Sequence, residues 1–163
     1  MKTLLLLRHA KSSWDDPAMD DHSRPLNKRG VHDAPLIGKL LKKEKLVPDH
    51  ILCSTAKRAC QTAQMVVESC GFPGEIQAEK MLYLGGAQNY FQEICQMPQN
   101  YHRLLVVGHN PDLEDVIKLL TGEHLSLSTA ALAKIDLPID RWDELNPQKN
   151  YSLQHLWTPK ELC

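Results

Sequence analysis

The chain has 163 residues, and at roughly one domain per 150 residues the expectation is a single domain covering 1–163. Apolar residues make up 42% and charged residues 24%, ordinary globular usage that provides for a buried core. Nineteen Lys and Arg against twenty Asp and Glu leave a formal net charge of −1, so no global positive field exists to draw in nucleic acid or an anionic membrane surface.

Lys2 to Leu7 reads as a short buried strand, with continuous apolar character and a charged end. Its four leucines fall short both of a membrane span, about 20 residues, and of the core of a secretion signal. Lys11 to Pro25 turns polar, with two prolines and four aspartates; long ordered loops of this kind are usually functional. Asn27 is placed to cap a helix running to about Lys43, with an apolar stripe through Val31, Leu36, Ile37, Leu40 and Leu41 that Pro35 threatens to interrupt.

A second strand is expected at His50 to Cys53. Ser54 and Thr55 then stand where a helix cap belongs, and the helix they would cap ends at Gly71. Ile76 to Ala78 suggests a brief strand, Gly85-Gly86 a turn, and Gln88 to Cys95 a helix. Arg103 to Val107 is the clearest buried strand, followed by Gly108-His109-Asn110-Pro111 and a helix to about Leu120 with Pro111 in its first turn. Ala131 to Leu137 and Tyr151 to Trp157 read as strands. Alternating strands and helices predict an α/β layer fold with a mostly parallel sheet.

Three strand ends share a chemistry. The first closes on Arg8-His9, the second runs into Ser54 to Arg58, and the Arg103–Val107 strand ends at Gly108-His109. Ligands of open parallel sheets bind beyond the carboxyl ends of the strands. If these three are neighbours, two histidines and two arginines meet at one point, a local cationic cluster suited to a small anion such as a phosphoryl group. The remaining histidines (His22, His32, His50, His102, His124, His155) are expected to be structural. No HExxH, HxH or CxxC spacing occurs among the eight histidines and five cysteines, so neither a metal site nor a disulfide framework is expected, and the thiols are read as reduced in a cytoplasm.

The segment LLLLRHAKSSW resembles the signature of the histidine phosphatase superfamily, in which an Arg-His pair closes the first strand. Ser23-Arg24-Pro25-Leu26, the run Ser54 to Thr62 with its RAxQT core, Leu82-Tyr83 and Val107 to Pro111 continue the resemblance in the family's order, over residues 1 to about 120. Within the superfamily the chain is similar to the small SixA-type phosphohistidine phosphatases. One departure stands at Ala10, where the family's RHG motif has glycine; a methyl group there asks for an ordinary backbone angle.

The resemblance implies a three-layer α/β/α sandwich of the phosphoglycerate-mutase-like type. It implies His9 as nucleophile, held neutral by the nearby charges of Arg8 and Arg58. Arg8 and Arg58 would grip the phosphoryl oxygens, with Arg24 as a further phosphate ligand and His109 as a donor to oxygens that gain charge. Glu79, the carboxylate nearest to where ester-cleaving relatives place a general acid, is a candidate for that role. The implied activity is metal-independent and cofactor-free hydrolysis of phosphohistidine on a protein partner, such as a phosphorelay domain. Two rivals are a phosphatase for a small phosphorylated metabolite and an inactive phosphate-binding module; a mutase would need a pocket that keeps water out.

Overall fold

The computed structural model describes residues 1–163. Its centre is one six-stranded sheet: β1 (Lys2–Arg8), β2 (His50–Ser54), β3 (Ile76–Glu79), β4 (Arg103–Gly108), β5 (Leu132–Leu137) and β6 (Ser152–Trp157), in the order β3-β2-β4-β1-β5-β6. The four strands from β3 to β1 run parallel; β5 and β6 add antiparallel pairings at one side. Five helices complete the chain: α1 (Lys28–Lys43), α2 (Lys57–Cys70), α3 (Ala87–Cys95), α4 (Asp112–Thr121) and α5 (Pro159–Leu162). No helix is long and apolar enough to cross a membrane.

The leucine run of β1 explains the layering. Side chains alternate across a strand, so a strand covered on both faces is apolar throughout. Leu4 and Leu6 join Leu104 and Val106 of β4 in a core closed by α3 and α4, with Tyr90, Ile94, Leu113 and Ile117 among its members. Leu5 and Leu7 join Leu105 and Val107 on the other face, under Ile37 and Leu41 of α1 and Ala63 and Val66 of α2. Each fully buried leucine contributes about 1.5–3 kcal/mol relative to exposure. The three-layer sandwich expected from the sequence is the fold observed.

Pro35 leaves α1 unbroken. The carbonyl it deprives of a partner belongs to Val31, one turn earlier, and Val31 is exposed, so water can serve that oxygen. Asn27 caps α1 as expected, its side chain accepting from the Gly30 amide at 2.9 Å. Gly30 itself lies against the backbone of Lys11, where a Cβ would collide with the Lys11 carbonyl; the close approach seats the start of the 11–25 loop on α1.

Two expected helix starts shift. The residue that caps α2 is Ala56, not Ser54 or Thr55, and it makes no side-chain capping bond. Ser54 is instead the last residue of β2. Pro111 is the cap residue of α4 rather than part of its first turn. The Tyr151–Trp157 alternation is interrupted by a register shift opposite Lys134/Ile135, which leaves His155 exposed and stacked on Trp157. Helix α5, four residues packed near α1, had no counterpart in the sequence reading.

Candidate active site

Sheet register builds the site. Arg8 pairs with Gly108 and Cys53 with Val107, so β1, β2 and β4 end side by side. One residue beyond their strands, His9 and His109 come together with ring centroids 5.1 Å apart. Gly108 makes this possible: a Cβ there would strike the Tyr90 hydroxyl. That hydroxyl accepts from the His109 amide at 3.1 Å and donates to the Leu82 carbonyl at 3.0 Å, pinning the turn after β4.

His9 is 7% exposed. Its Nδ1–H donates to the Ala10 carbonyl at 2.7 Å, which sets the neutral tautomer with the lone pair on Nε2. Burial lowers its pKa to about 4, opposed by the Ala10 bond and reinforced by Arg58, Arg8 and Arg24. Desolvation, more than the like charges expected from the sequence, keeps this imidazole neutral. Ala10 adopts no left-handed backbone, so the methyl group where the motif has glycine is unstrained. Its amide donates to Thr62 Oγ1 at 3.0 Å, and Thr62 Oγ1 donates to the Arg58 carbonyl at 2.7 Å. Gln61 accepts from the Leu26 amide at 2.8 Å. The Gln-Thr pair of the RAxQT segment therefore ties α2 to the loop that follows His9.

The three arginines surround His9 in distinct ways. Arg8 donates to the Leu127 carbonyl at 2.8 Å, and its buried Nε has no partner. Arg24 is fully engaged, donating to the Ser13 carbonyl, to Asp21 Oδ1 at 2.9 Å and to Ser12 Oγ at 2.6 Å. Arg58 places one terminal nitrogen 2.7 Å from the Asp21 carbonyl oxygen and the other 3.0 Å from Asp21 Oδ2. The Tyr83 hydroxyl donates to the same Oδ2 at 2.6 Å. Partial burial pushes the Asp21 carboxyl upward, but Tyr83, Arg24 and Arg58 outweigh it and hold it well below the usual carboxylate range.

His109 is 2% exposed. Its Nε2 lies 2.8 Å from Ser54 Oγ, while its Nδ1 is buried without a partner. Burial first, then His9 and Arg58, lower its pKa to about 3. His9, His109, Arg8, Arg24 and Arg58 line one cavity of about 230 Å3, with no carboxylate in its wall. Buried polar atoms without a partner are rare in folded proteins, and Arg8 Nε and His109 Nδ1 are two such atoms, on residues that line this cationic cavity. Such an arrangement can hold a small, oxygen-rich anion beside a neutral imidazole nitrogen.

Glu79 stands apart. At the end of β3 it accepts from Gln77 Nε2 at 2.7 Å and does not line the cavity. Sequence reading left Asp21 among four undistinguished aspartates and assigned no role to Ser54 beyond capping. It also set aside His22, whose Nε2 lies 2.9 Å from Thr55 Oγ1 and whose ring meets Tyr83 edge-on at 4.8 Å. Nowhere in the fold do three or more His, Cys, Asp or Glu side chains converge as a metal site would require. A larger open groove, about 650 Å3, lies toward the opposite end of β1, by Met1 and Asp136, away from this chemistry.

The family model for the histidine phosphatase superfamily (branch 1) matches residues 4–83. An uncharacterized protein of Mycobacterium tuberculosis is 35% identical over 128 residues, 78% of this chain and 77% of the relative. Among solved structures, the protein provisionally assigned as phosphohistidine phosphatase SixA of Agrobacterium tumefaciens superposes with a TM-score of 0.82 at 29% identity, covering 97% of this chain and 98% of that one. Its counterpart from Nakamurella multipartitia gives 0.84 at 28% identity, over 97% and 96%.

Proposed function

Because the chain belongs to the histidine phosphatase superfamily, we propose that it hydrolyses phosphohistidine carried on a protein, through a transient phosphohistidine on His9. The observation that carries this reading is the His9 ring itself. It is neutral, oriented by the Ala10 carbonyl, and enclosed by three guanidiniums and a second histidine.

His9 Nε2 attacks phosphorus while the bond from phosphorus to the substrate imidazole breaks. A proton already on the other ring nitrogen of the substrate lets that imidazole leave neutral, so no carboxylic acid is needed. Arg8 and Arg58 hold the equatorial oxygens, and His109 donates to oxygen from Nδ1 as charge shifts in the transition state. Water then attacks phosphorus, the bond to Nε2 breaks, and phosphate leaves with the water's oxygen and protons. Most of the catalysis is positioning and electrostatics, which a preformed cluster supplies.

Cavity size favours this substrate over a free metabolite. About 230 Å3 falls below the roughly 300–1,000 Å3 typical of small-molecule pockets. It accommodates a phosphoryl group and the group next to it, leaving the rest of the substrate outside. The test is brief incubation with a phosphohistidine-bearing phosphorelay domain, followed by search for an acid-labile, base-stable label. The label is expected on His9 and absent from His9→Ala; a wild-type level of label in His9→Ala would overturn the assignment.

A further inference from the structure

Two exposed apolar side chains stand at the mouth of the cavity, on separate loops. Trp14, in the loop after β1, is 71% exposed, and Leu84, between β3 and α3, is 65% exposed; both line the cavity with the arginines. Trp14 is held in place from one side. The Arg24 guanidinium carbon lies 3.2 Å from the centre of its ring, and Arg24 is itself fixed by its bonds to Ser12, Ser13 and Asp21. One face of the indole is thus covered by a rigid cation, and the other is open.

Leu84 is held from both ends. The preceding Tyr83 is bonded to Asp21, and Gly86 donates to Asp112 at 3.1 Å. Its backbone is left-handed, with φ 56°, a conformation that disfavours a leucine and that glycine adopts freely. An exposed leucine in a left-handed backbone carries two costs, and the next two residues in the turn are glycines. Its side chain packs too little within the fold to offset either. Strain retained without a local structural return is characteristic of groups that meet a ligand.

We propose that Trp14 and Leu84 form a slot for the planar, unsaturated ring bonded directly to the transferred phosphoryl group, and so select azole leaving groups over alkyl ones. The slot rests on the phosphatase reading of the cavity beneath it. With the phosphoryl group held by Arg8, Arg58 and His109, the departing ring lies at the mouth, where an aromatic face and an aliphatic side chain are presented. A flat five-membered ring gains stacking and apolar contact there. A serine-type methylene has no flat face to stack and offers less apolar surface.

The experiment compares N-phosphoimidazole with phosphoramidate, which shares the phosphorus–nitrogen bond but has no ring. In Trp14→Ala and in Leu84→Gly, the ratio of kcat/KM for phosphoimidazole to that for phosphoramidate is expected to fall about tenfold. Trp14→Phe, which keeps an aromatic face, should recover most of the ratio. Leu84→Gly should unfold at no lower temperature than wild type, since glycine relieves the backbone, and this separates a ligand contact from a structural one. An unchanged ratio in both variants would overturn the slot. His9→Ala that still turns over phosphoramidate would overturn instead the phosphatase reading on which the slot depends.

Discussion

Ser54 Oγ lies 2.8 Å from His109 Nε2 and also accepts the Ala56 amide at 3.1 Å. Where the Ser54 hydroxyl donates to His109 Nε2, the imidazole proton sits on Nδ1, a buried atom with no partner in the fold. Ser54 is thereby a positioning residue for the donor. Ser54→Ala should lower kcat on the order of tenfold with KM little changed, less than the roughly 10²–10³ that losing a donor outright costs. Ser54→Thr, which keeps the hydroxyl, should retain most activity. Steady-state kinetics on one substrate decide it; equal loss in both variants would show that packing alone matters at this position.

Burial of the two histidines couples stability to pH. Their folded values, about 4 for His9 and about 3 for His109, lie below the ordinary 6.5. As pH falls below 6.5 the unfolded chain takes up protons that the folded chain refuses, so stability present above 6.5 is lost progressively toward pH 4. At 1.36 kcal/mol per unit, His9 alone accounts for on the order of 3 kcal/mol of that loss. Urea unfolding at pH 7 and pH 5 should show the drop, and His9→Gln should make it smaller. Activity toward an aryl phosphate should keep its acid limb well below pH 6.5, because the nucleophile remains neutral there. A limb at 6.5 would contradict the burial argument.

How far these features were legible in the chain differs by residue. β1 and β4 were readable because strands covered on both faces are apolar at every position, and Asn27 was readable because capping is a local chemistry. Ser54 was misplaced for the same reason: a serine ahead of a helix looks like a cap, and only sheet pairing, with Ser54 opposite Glu79 and Cys53 opposite Val107, sets it at the end of β2, beside His109. Asp21 shows the other limit. Its role arises from donors on three separate segments, Arg24, Arg58 and Tyr83, and nothing in the polar 11–25 loop distinguishes it from Asp15, Asp16 or Asp20. His9, Arg8 and Arg58 were legible because each lies at or shortly after a strand end, and Arg24 only through its Arg-Pro-Leu segment, whereas the shape of the cavity mouth at Trp14 and Leu84 depends on how two loops meet.

Arg58 engages Asp21 through both terminal nitrogens, at 2.7 and 3.0 Å. Arg58→Ala should lower kcat/KM by about 10²–10³, the usual cost of a preorganised transition-state donor. Lysine should rescue little, since an ammonium cannot span the two Asp21 oxygens and still present a planar fork to phosphate. Lys42→Ala, at the far end of α1, is the surface control. A fully active Arg58→Lys would show that only net charge counts at position 58.

The charge that a metal would supply is already present in Arg8, Arg24 and Arg58, which share one cavity. Turnover is therefore expected to persist in a strong chelator. Orthovanadate should inhibit by placing a five-coordinate centre between His9 and the arginines. Activity lost to chelator and restored by Mg²⁺ would contradict the proposed chemistry.

Glu79 supplies the sharpest test of substrate class. Cleaving an alkyl phosphoester produces a poor leaving group, and a positioned acid is typically worth about 10²–10⁴-fold in that reaction. Glu79 is bonded to Gln77 at 2.7 Å and lies outside the cavity wall, so it is not in place to deliver a proton to a leaving oxygen. Phosphohistidine needs no such acid, because its second ring nitrogen carries the proton that lets imidazole leave neutral. Glu79→Gln should leave phosphohistidine turnover within a few-fold of wild type, and wild type itself should cleave phosphoserine and sugar phosphates slowly. Parallel measurement of kcat/KM on a phosphohistidine peptide, phosphoserine and a sugar phosphate checks both statements. Rapid ester hydrolysis that collapses in Glu79→Gln would mean that the β3 end swings into the cavity during turnover, and the enzyme would then be a phosphomonoesterase acting on small metabolites.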